Sequence, residues 1–469
     1  TISGYFTGAL EQSLFNKAAK TADLGQVMVT FDGLRNDKSY TIKQVNPALS
    51  AAYPEEFEDN IKEKAGYTAA DLAEGLYILI LQGNDQPITV ALSETDTGKV
   101  LKTLTLTNAT ASTVNSANAL TTALTNKNAV TLAENADIAA SSTLTIPADK
   151  TLIIPAGAKL AGINVTNNGT IIINDENGLA LGAKVGGNIT LGSDITMTQG
   201  LGVDGQTFEG TLDGAGHTID FSAVSGAEDG VFAADTAGDT TIKNLTLQPQ
   251  LNGVECFVGN THGTSFTYDN VVVGQAGQVC QMTGDDNNES AYLAFSTATT
   301  TTFKNCTNNL SYICSAAKTY TSAFLGGFAY GSCTSLVFEN CTNNGDLTMD
   351  YASLYVGNGS NMGNVAITIT NCTNNGSIMG TANAAYVAAI SHDKLKKYES
   401  NQDIEAIAQA NTKGNGTVAK RTADWLKLAQ DSSTGAITIS TTDAPAGVAS
   451  YNVSYSAYAK AQNEKQAIA

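Results

Sequence analysis

Arginine occurs at only two of 469 positions, Arg35 and Arg421, and nowhere between residues 115 and 390. Lys and Arg together number 25 against 44 Asp and Glu, for a net charge of −19. A chain this acidic repels phosphate backbones, so nucleic acid is not an expected partner. Long apolar runs are also missing. The most hydrophobic candidate, Tyr77–Leu81, is a strand's length, whereas a membrane-spanning helix needs about 18 apolar residues, so membrane insertion is not expected. Trp (one) and Pro (seven) are scarce, and charged residues make up only 15%. Low charge alone would suit a disordered chain, but the hydrophobic fraction of 42% is too high and too evenly spread for that. At roughly 100–200 residues per domain, the length allows two to four domains.

The charge that is present divides the chain in three. Residues 1–114 carry a net −5, residues 115–390 a net −15 and residues 391–469 a net +1. The same boundaries follow from pattern: a β-rich N-terminal domain, a repeat region and a C-terminal segment of helices and strands. The chain opens at Thr1 rather than Met, and a removed leader is the simplest reason. That expectation places the protein outside the cell or at its surface.

Five segments share one grammar: Thr241-Ile-Lys-Asn-Leu-Thr-Leu247, Thr267-Tyr-Asp-Asn-Val-Val-Val273, Thr302-Phe-Lys-Asn-Cys-Thr-Asn308, Val337-Phe-Glu-Asn-Cys-Thr-Asn343 and Thr368-Ile-Thr-Asn-Cys-Thr-Asn374. The residues after the asparagines (Leu245, Val271, Cys306, Cys341, Cys372) are 26, 35, 35 and 31 positions apart. Such steps suit one turn of a β-solenoid or one helical repeat. Strand formers bounded by Asn-Asn-Gly turns decide for β. Short β-branched runs at Ala129–Leu132, Thr143–Ile146, Thr151–Ile154, Asn168–Asn174, Asn188–Leu191 and Asp194–Met197 extend the pattern upstream. Ser116–Thr125 reads as a short amphipathic helix covering the open N-terminal β edge.

Phe208-Glu-Gly-Thr-Leu-Asp-Gly-Ala-Gly-His-Thr-Ile219, followed by Gly230-Val-Phe232 and Ile242-Lys-Asn-Leu-Thr-Leu247, resembles the right-handed parallel β-helix, or pectin-lyase-like, segments of bacterial surface proteins and adhesins. The resemblance covers about residues 115–390. It implies a mainly β fold, a solenoid flanked by an N-terminal α+β region and a C-terminal α/β segment. For function it is weak, because the same fold supports lyases, hydrolases, tailspikes and adhesins.

Other motifs have plain readings. Gly200-Leu-Gly-Val-Asp-Gly205 matches G-x-G-x-x-G literally, but a strand follows where a dinucleotide site needs a helix. His217, His262 and His392 stand alone, and zinc wants clustered ligands. Stacked in register, Cys306, Cys341 and Cys372 would lie about 4.8 Å apart. Their parallel side chains then favour reduced, buried thiols over disulfides. Asn305, Asn340 and Asn371 match the glycosylation acceptor pattern, yet a ladder of Asn244, Asn270, Asn305, Asn340 and Asn371 explains them without sugar.

Carboxylates pose the catalytic question. Asp204, Asp213, Asp220, Asp229 and Asp235 are close in sequence, and a glycosidase needs two carboxyl groups facing one sugar. A uronate lyase needs calcium-binding Asp and a basic residue, in a region that has no Arg. Asp285, Asp286 and Glu289 are weak calcium candidates lacking the Gly-centred spacing of a calcium loop, and calcium is the one cofactor left open. The expectation is therefore a non-catalytic structural or adhesive surface protein, with surface glycans as a second partner class and a polysaccharide lyase or hydrolase as the alternative.

The flanks complete the reading. Strands are expected at Gln26–Phe31, Ser39–Val45, Tyr77–Gln82, Ile88–Leu92 and Val100–Thr107, with a helix starting at Thr68-Ala-Ala-Asp71. Helices are expected near Asp403–Ala410 and Thr422–Gln430, and a strand at Ala436–Ser440. Lys394, Lys396 and Lys397 suggest that a basic C-terminal segment covers the far end of the acidic solenoid. Thr1–Gly8 is too Gly-rich to hold itself as a strand. Tyr451, Val453, Tyr455 and Ala457 alternate as an inserted strand would. Both suggest homopolymer assembly into a filament or layer by strand exchange.

Overall fold

The computed structural model describes residues 112–390, apart from 115, 140–142, 162, 228–229, 285, 287–288, 328–330 and 360–364. It also describes residues 2–5, 24–31, 35, 37–44, 67–68, 77–82, 88–106, 404–420, 427–440, 457–461 and 464–468. The fold is mainly β, built on long parallel sheets.

One sheet runs the length of the repeat region. Ala129–Leu132, Thr151–Ile154, Thr170–Ile173, Gly187–Leu191, Gly210–Asp213, Asp239–Gln248, Ser265–Val273, Thr300–Lys304, Ser335–Glu339 and Ala366–Thr370 pair in that order, each parallel to the next. Ser112–Val114 extends it at one end. At the other end, past an asparagine corner, Thr412–Lys413 pairs with Cys372–Asn374. These ends do not pair with each other, so the sheet is an open stack and no barrel closes. A second sheet stacks Thr207–Phe208, Ala233–Thr236, Val258–Thr261 and Leu293–Ser296. A third stacks Val279–Gln281, Ser311–Ile313, Leu347–Asn358, Ser377–Ile390 and Thr417–Lys420.

Strand alternation sets what each column holds. Inward, Leu152, Ile171, Ile189, Leu212, Ile242, Tyr268, Phe303, Phe338 and Ile369 lie in register and buried. The aromatic rings continue the stack, with Phe303 and Phe338 near-parallel at 5.2 Å, a contact type worth about 0.5–1.5 kcal/mol beyond area. Buried tyrosine hydroxyls find main-chain carbonyls: Tyr292 reaches those of Val271 and Thr307, each at 2.8 Å. Outward, Asp213, Lys243, Asp269, Lys304 and Glu339 follow one another in register with alternating sign. Like charges directly opposite would destabilise a sheet, so the scarce lysines fall where the column needs them.

Three helices interrupt or close the stack. α1, Ala117–Asn126, is capped by Ser116, whose Oγ accepts from Ala119 N at 3.2 Å, and it buries Leu120 and Leu124 against the core. α2, Glu176–Val185, was not expected from the sequence and replaces strands within one repeat. α3, Ile404–Ala410, lies over the last repeat with Ala408 fully buried.

The flanks bring corrections. Ile2–Tyr5 is a strand, paired antiparallel with Met28–Phe31 of its own chain, because Leu24–Phe31 offers a free edge that outweighs the glycine. Leu24–Phe31 also pairs with Tyr77–Gln82, and Ser39–Gln44, Ile88–Glu94 and Val100–Leu106 form a second antiparallel sheet joined by Tyr67–Thr68. Thr68 thus ends a strand, and the helix expected after it lies outside the described residues. The expected helix over Thr422–Gln430 is wrong at its C-terminal end. Lys427–Gln430 is a strand hairpinned to Ile437–Ser440. The intervening turn is held by Asp431, whose Oδ1 accepts from Ser433 N and Thr434 N, each at 2.8 Å, and from Ser433 Oγ at 2.6 Å. Ala457 heads a strand, Ala457–Ala461, that folds back on Glu464–Ile468. Tyr451, Val453, Tyr455, Lys394, Lys396 and Lys397 lie outside the described residues.

Candidate functional site

The pentapeptide Asn-Cys-Thr-Asn-Asn recurs at residues 305–309, 340–344 and 371–375, and its asparagine and cysteine positions have separate tasks. Its first asparagine turns the corner between two sheet faces. Asn305, Asn340 and Asn371 have φ of 53°, 54° and 50°, and Asn244 and Asn270 match them at 53° and 56°. Left-handed backbone costs most L-residues about 1–2 kcal/mol, and asparagine is the side chain that tolerates it best. The amides then bond along the stack. Asn270 donates to Asn244 Oδ1 at 3.0 Å, Asn340 to Asn305 at 3.3 Å and Asn371 to Asn340 at 2.8 Å. Asn305 departs from the column, donating instead to Asp269 Oδ1 at 3.1 Å.

The ladder is polarised, since every amide donates toward the N-terminus. Its first acceptor is a pure acceptor, Asp213, which takes Asn244 Nδ2 at 3.1 Å. Its last donor is a pure donor, Lys413, whose Nζ reaches Asn371 Oδ1 at 3.2 Å. A carboxylate at one end and an ammonium at the other satisfy what an amide column leaves open.

The inward positions Leu245, Val271, Cys306, Cys341 and Cys372 are all buried. Cys341 Sγ donates to Phe303 O at 3.2 Å, and Cys306 and Cys372 do likewise to Tyr268 O and Phe338 O at 3.5 Å. All seven cysteines are free and buried. Burial pushes the Cys341 thiol well up, Cys280 up to about 12 and Cys333 up to about 11, which leaves them protonated and unreactive at neutral pH. The asparagine at the fourth position forms a second, dry ladder: Asn308 donates to Asn343 at 2.8 Å and Asn343 to Asn374 at 2.9 Å. The asparagine at the fifth position forms a third ladder, from Asn375 through Asn344 to Asn309, on the solvent side. The second and third ladders were not anticipated, although the Asn-Asn doublets were their signal. The N-terminal domain touches this corner, where Asn270 Nδ2 donates to Val100 O at 2.6 Å and Lys99 Nζ to Thr307 Oγ1 at 3.4 Å.

Among the described residues Asp213, Asp220 and Asp235 lie on different faces of the stack. Asp213 is held by Lys243 at 3.6 Å and by Asn244, and Asp220 accepts from Ser222 N on a different face. Asp235 sits on another sheet, 2.9 Å from His262 Nε2, while His262 Nδ1 is 2.8 Å from Thr297 Oγ1. His262 thus ties three successive repeats. His217 pairs with Asp194 at 3.2 Å in the same manner. Asp229 and Asp285 lie outside the described residues. Among the described residues no three His, Cys, Asp or Glu side chains are grouped to hold a metal. Asp286 accepts from Thr283 N, and Glu289 is pushed up to about 8 by burial, with Glu255 and Asp286 adding repulsion.

No family model matches the chain, and neither a curated protein nor a solved structure matches it. No helix among the described residues is long and apolar enough to cross a membrane.

Proposed function

We propose that residues 115–390 form a right-handed parallel β-helix of the pectin-lyase-like kind, the rigid and non-catalytic shaft of an extracellular structural or adhesive protein. Handedness follows from the general rule that parallel crossovers are right-handed. One observation carries the functional reading. Side chains able to do chemistry are taken up in holding repeats together: asparagines in three ladders, thiols on carbonyls, histidines on carboxylates of the preceding repeat. Such a rod gains stiffness and length, and its outer columns are free to meet glycans or neighbours. Assembly by terminal strand exchange would require Ile2–Tyr5 and the Ala457–Ile468 hairpin to leave partners in their own chain. Negative-stain microscopy tests this directly. Filaments lost on deleting residues 1–8 would support exchange, and monomers at high concentration would remove it. A glycan array separates an adhesin from a purely structural subunit.

A second reading, a polysaccharide-degrading enzyme, draws on Glu289 alone. A carboxyl poised near neutrality beside two others is how a general acid is tuned. Release of reducing ends or absorbance at 235 nm from uronate polymers, abolished in Glu289→Gln, would replace the structural reading with this one.

A further inference from the structure

The parallel sheets are cut where α2 stands. Lys159–Ala161 pairs on one side with Asp137–Ala139, and Asn164–Asn167 pairs on one side with Thr143–Ile146. The next repeat supplies a helix instead of strands, so among the described residues the other edge of each strand has no strand partner. A helix saturates its own backbone and cannot complete a neighbouring ladder. Between α2 and these edges lies a cleft of about 570 Å³. Leu160, Val165, Leu181 and Val185 line it, with Lys159 and Lys184 at its rim. Both lysines are exposed, and among the described residues neither is ion-paired, in a region of net −15.

We propose that this cleft receives an extended peptide of alternating apolar and acidic side chains, added as a strand to the interrupted sheet. Main-chain bonds to the open edge supply affinity, and alternate side chains fill the cleft and meet the lysines. An acyl chain of similar polarity would leave the edge N–H and C=O groups unpaired, and a strand would not. Volume and lining fall within the range of ordinary binding clefts.

Fluorescence anisotropy with a labelled Val-Glu repeat peptide tests this on the full chain. The expected result is saturable binding, weakened at least about tenfold in the double variant K159Q/K184Q at unchanged melting temperature. The same peptide N-methylated at alternate residues should also lose at least about tenfold against the unmodified protein, a readout that needs no variant to fold. A Val-Lys repeat peptide should not bind. Absence of saturable binding overturns the proposal, as does equal binding of the N-methylated or lysine peptide. So does binding of decanoate with none of the peptide, which would make the cleft a site for anionic amphiphiles.

Discussion

Asn340 combines a backbone task with a side-chain task, and substitution separates them. Gly accepts a φ of 54° without strain but removes both ladder bonds, to Asn305 and from Asn371. Asn340→Gly should therefore cost roughly 1–2 kcal/mol in urea unfolding. Asn340→Ala adds the left-handed penalty and should cost roughly 2–4 kcal/mol. Equal losses would mean that the ladder, not the corner, is what matters. Repetition made these asparagines legible in the sequence. The terminators Asp213 and Lys413 were not legible, because they lie outside the repeated motif and only the register brings them to it. Glu289 was legible only as a carboxylate in a polar loop, since burial by other repeats is invisible locally. Its carboxyl stands at about 8 in the folded chain against an ordinary 4.5, so the folded state holds a proton that the unfolded state has released. Its contribution is full below pH 4.5 and is lost as pH rises through 8, at no more than about 1.4 kcal/mol per unit. Glu289→Gln should match the parent near pH 4 and melt higher near pH 9. A variant equal to the parent at both pH values would contradict the assignment.

Elements were legible where alternation is strict and hidden where glycine interrupts it. The columns of the long sheet follow from their β-branched runs, and α1 from its Ser cap and apolar spacing. α2 has an equally good start, with Asp175 Oδ1 accepting from Gly178 N at 2.9 Å and Leu179 and Ala183 buried one turn apart. Gly178 and Gly182 lower its helix propensity and disguise it. Those glycines are what let it sit on the sheet. A Cβ at Gly178 would stand 2.9 Å from Ile173 Cβ, and one at Gly182 would stand 2.9 Å from Ile189 Cγ2. Gly182→Ala is therefore a contest between propensity, which favours Ala by about 1 kcal/mol, and overpacking against a fully buried isoleucine, which costs about 1–3 kcal/mol. The expected net result is a lower melting temperature. A gain would show that α2 can move away from the sheet. The hairpin Lys427–Gln430 to Ile437–Ser440 failed in the opposite direction. Its strand residues carry good helix propensity, and the turn chemistry of Asp431 decides the matter.

At the scale of the whole molecule, a stack of parallel strands has two open edges, and each must be covered for the protein to stay soluble. At the N-terminal end α1 follows the Ser112–Val114 strand. At the other end the described residues of the C-terminal segment supply the cover. Glu405, in the first turn of α3, accepts from Tyr386 N at 2.6 Å and Val387 N at 2.9 Å, closing donors on the last long strand. Ala408 plugs the end of the core, and Thr412 Oγ1 meets Tyr355 OH at 2.6 Å. Beyond them, Thr417–Lys420 pairs with Ser377–Gly380 as a four-residue strand ending in an exposed lysine. A short edge strand of this kind discourages further pairing. Truncation after Ile390 removes all four devices together. It bares a 14-residue strand, Ser377–Ile390, leaves the Tyr386 and Val387 amides without their acceptor at about 1–3 kcal/mol each, and opens the core where Ala408 sat. The shortened protein should aggregate on size-exclusion chromatography, and Glu405→Ala in the full chain should lower stability without aggregation, because Thr417–Lys420 still covers the edge. A truncated chain that elutes as a monomer and melts like the parent would mean that the end of the stack protects itself.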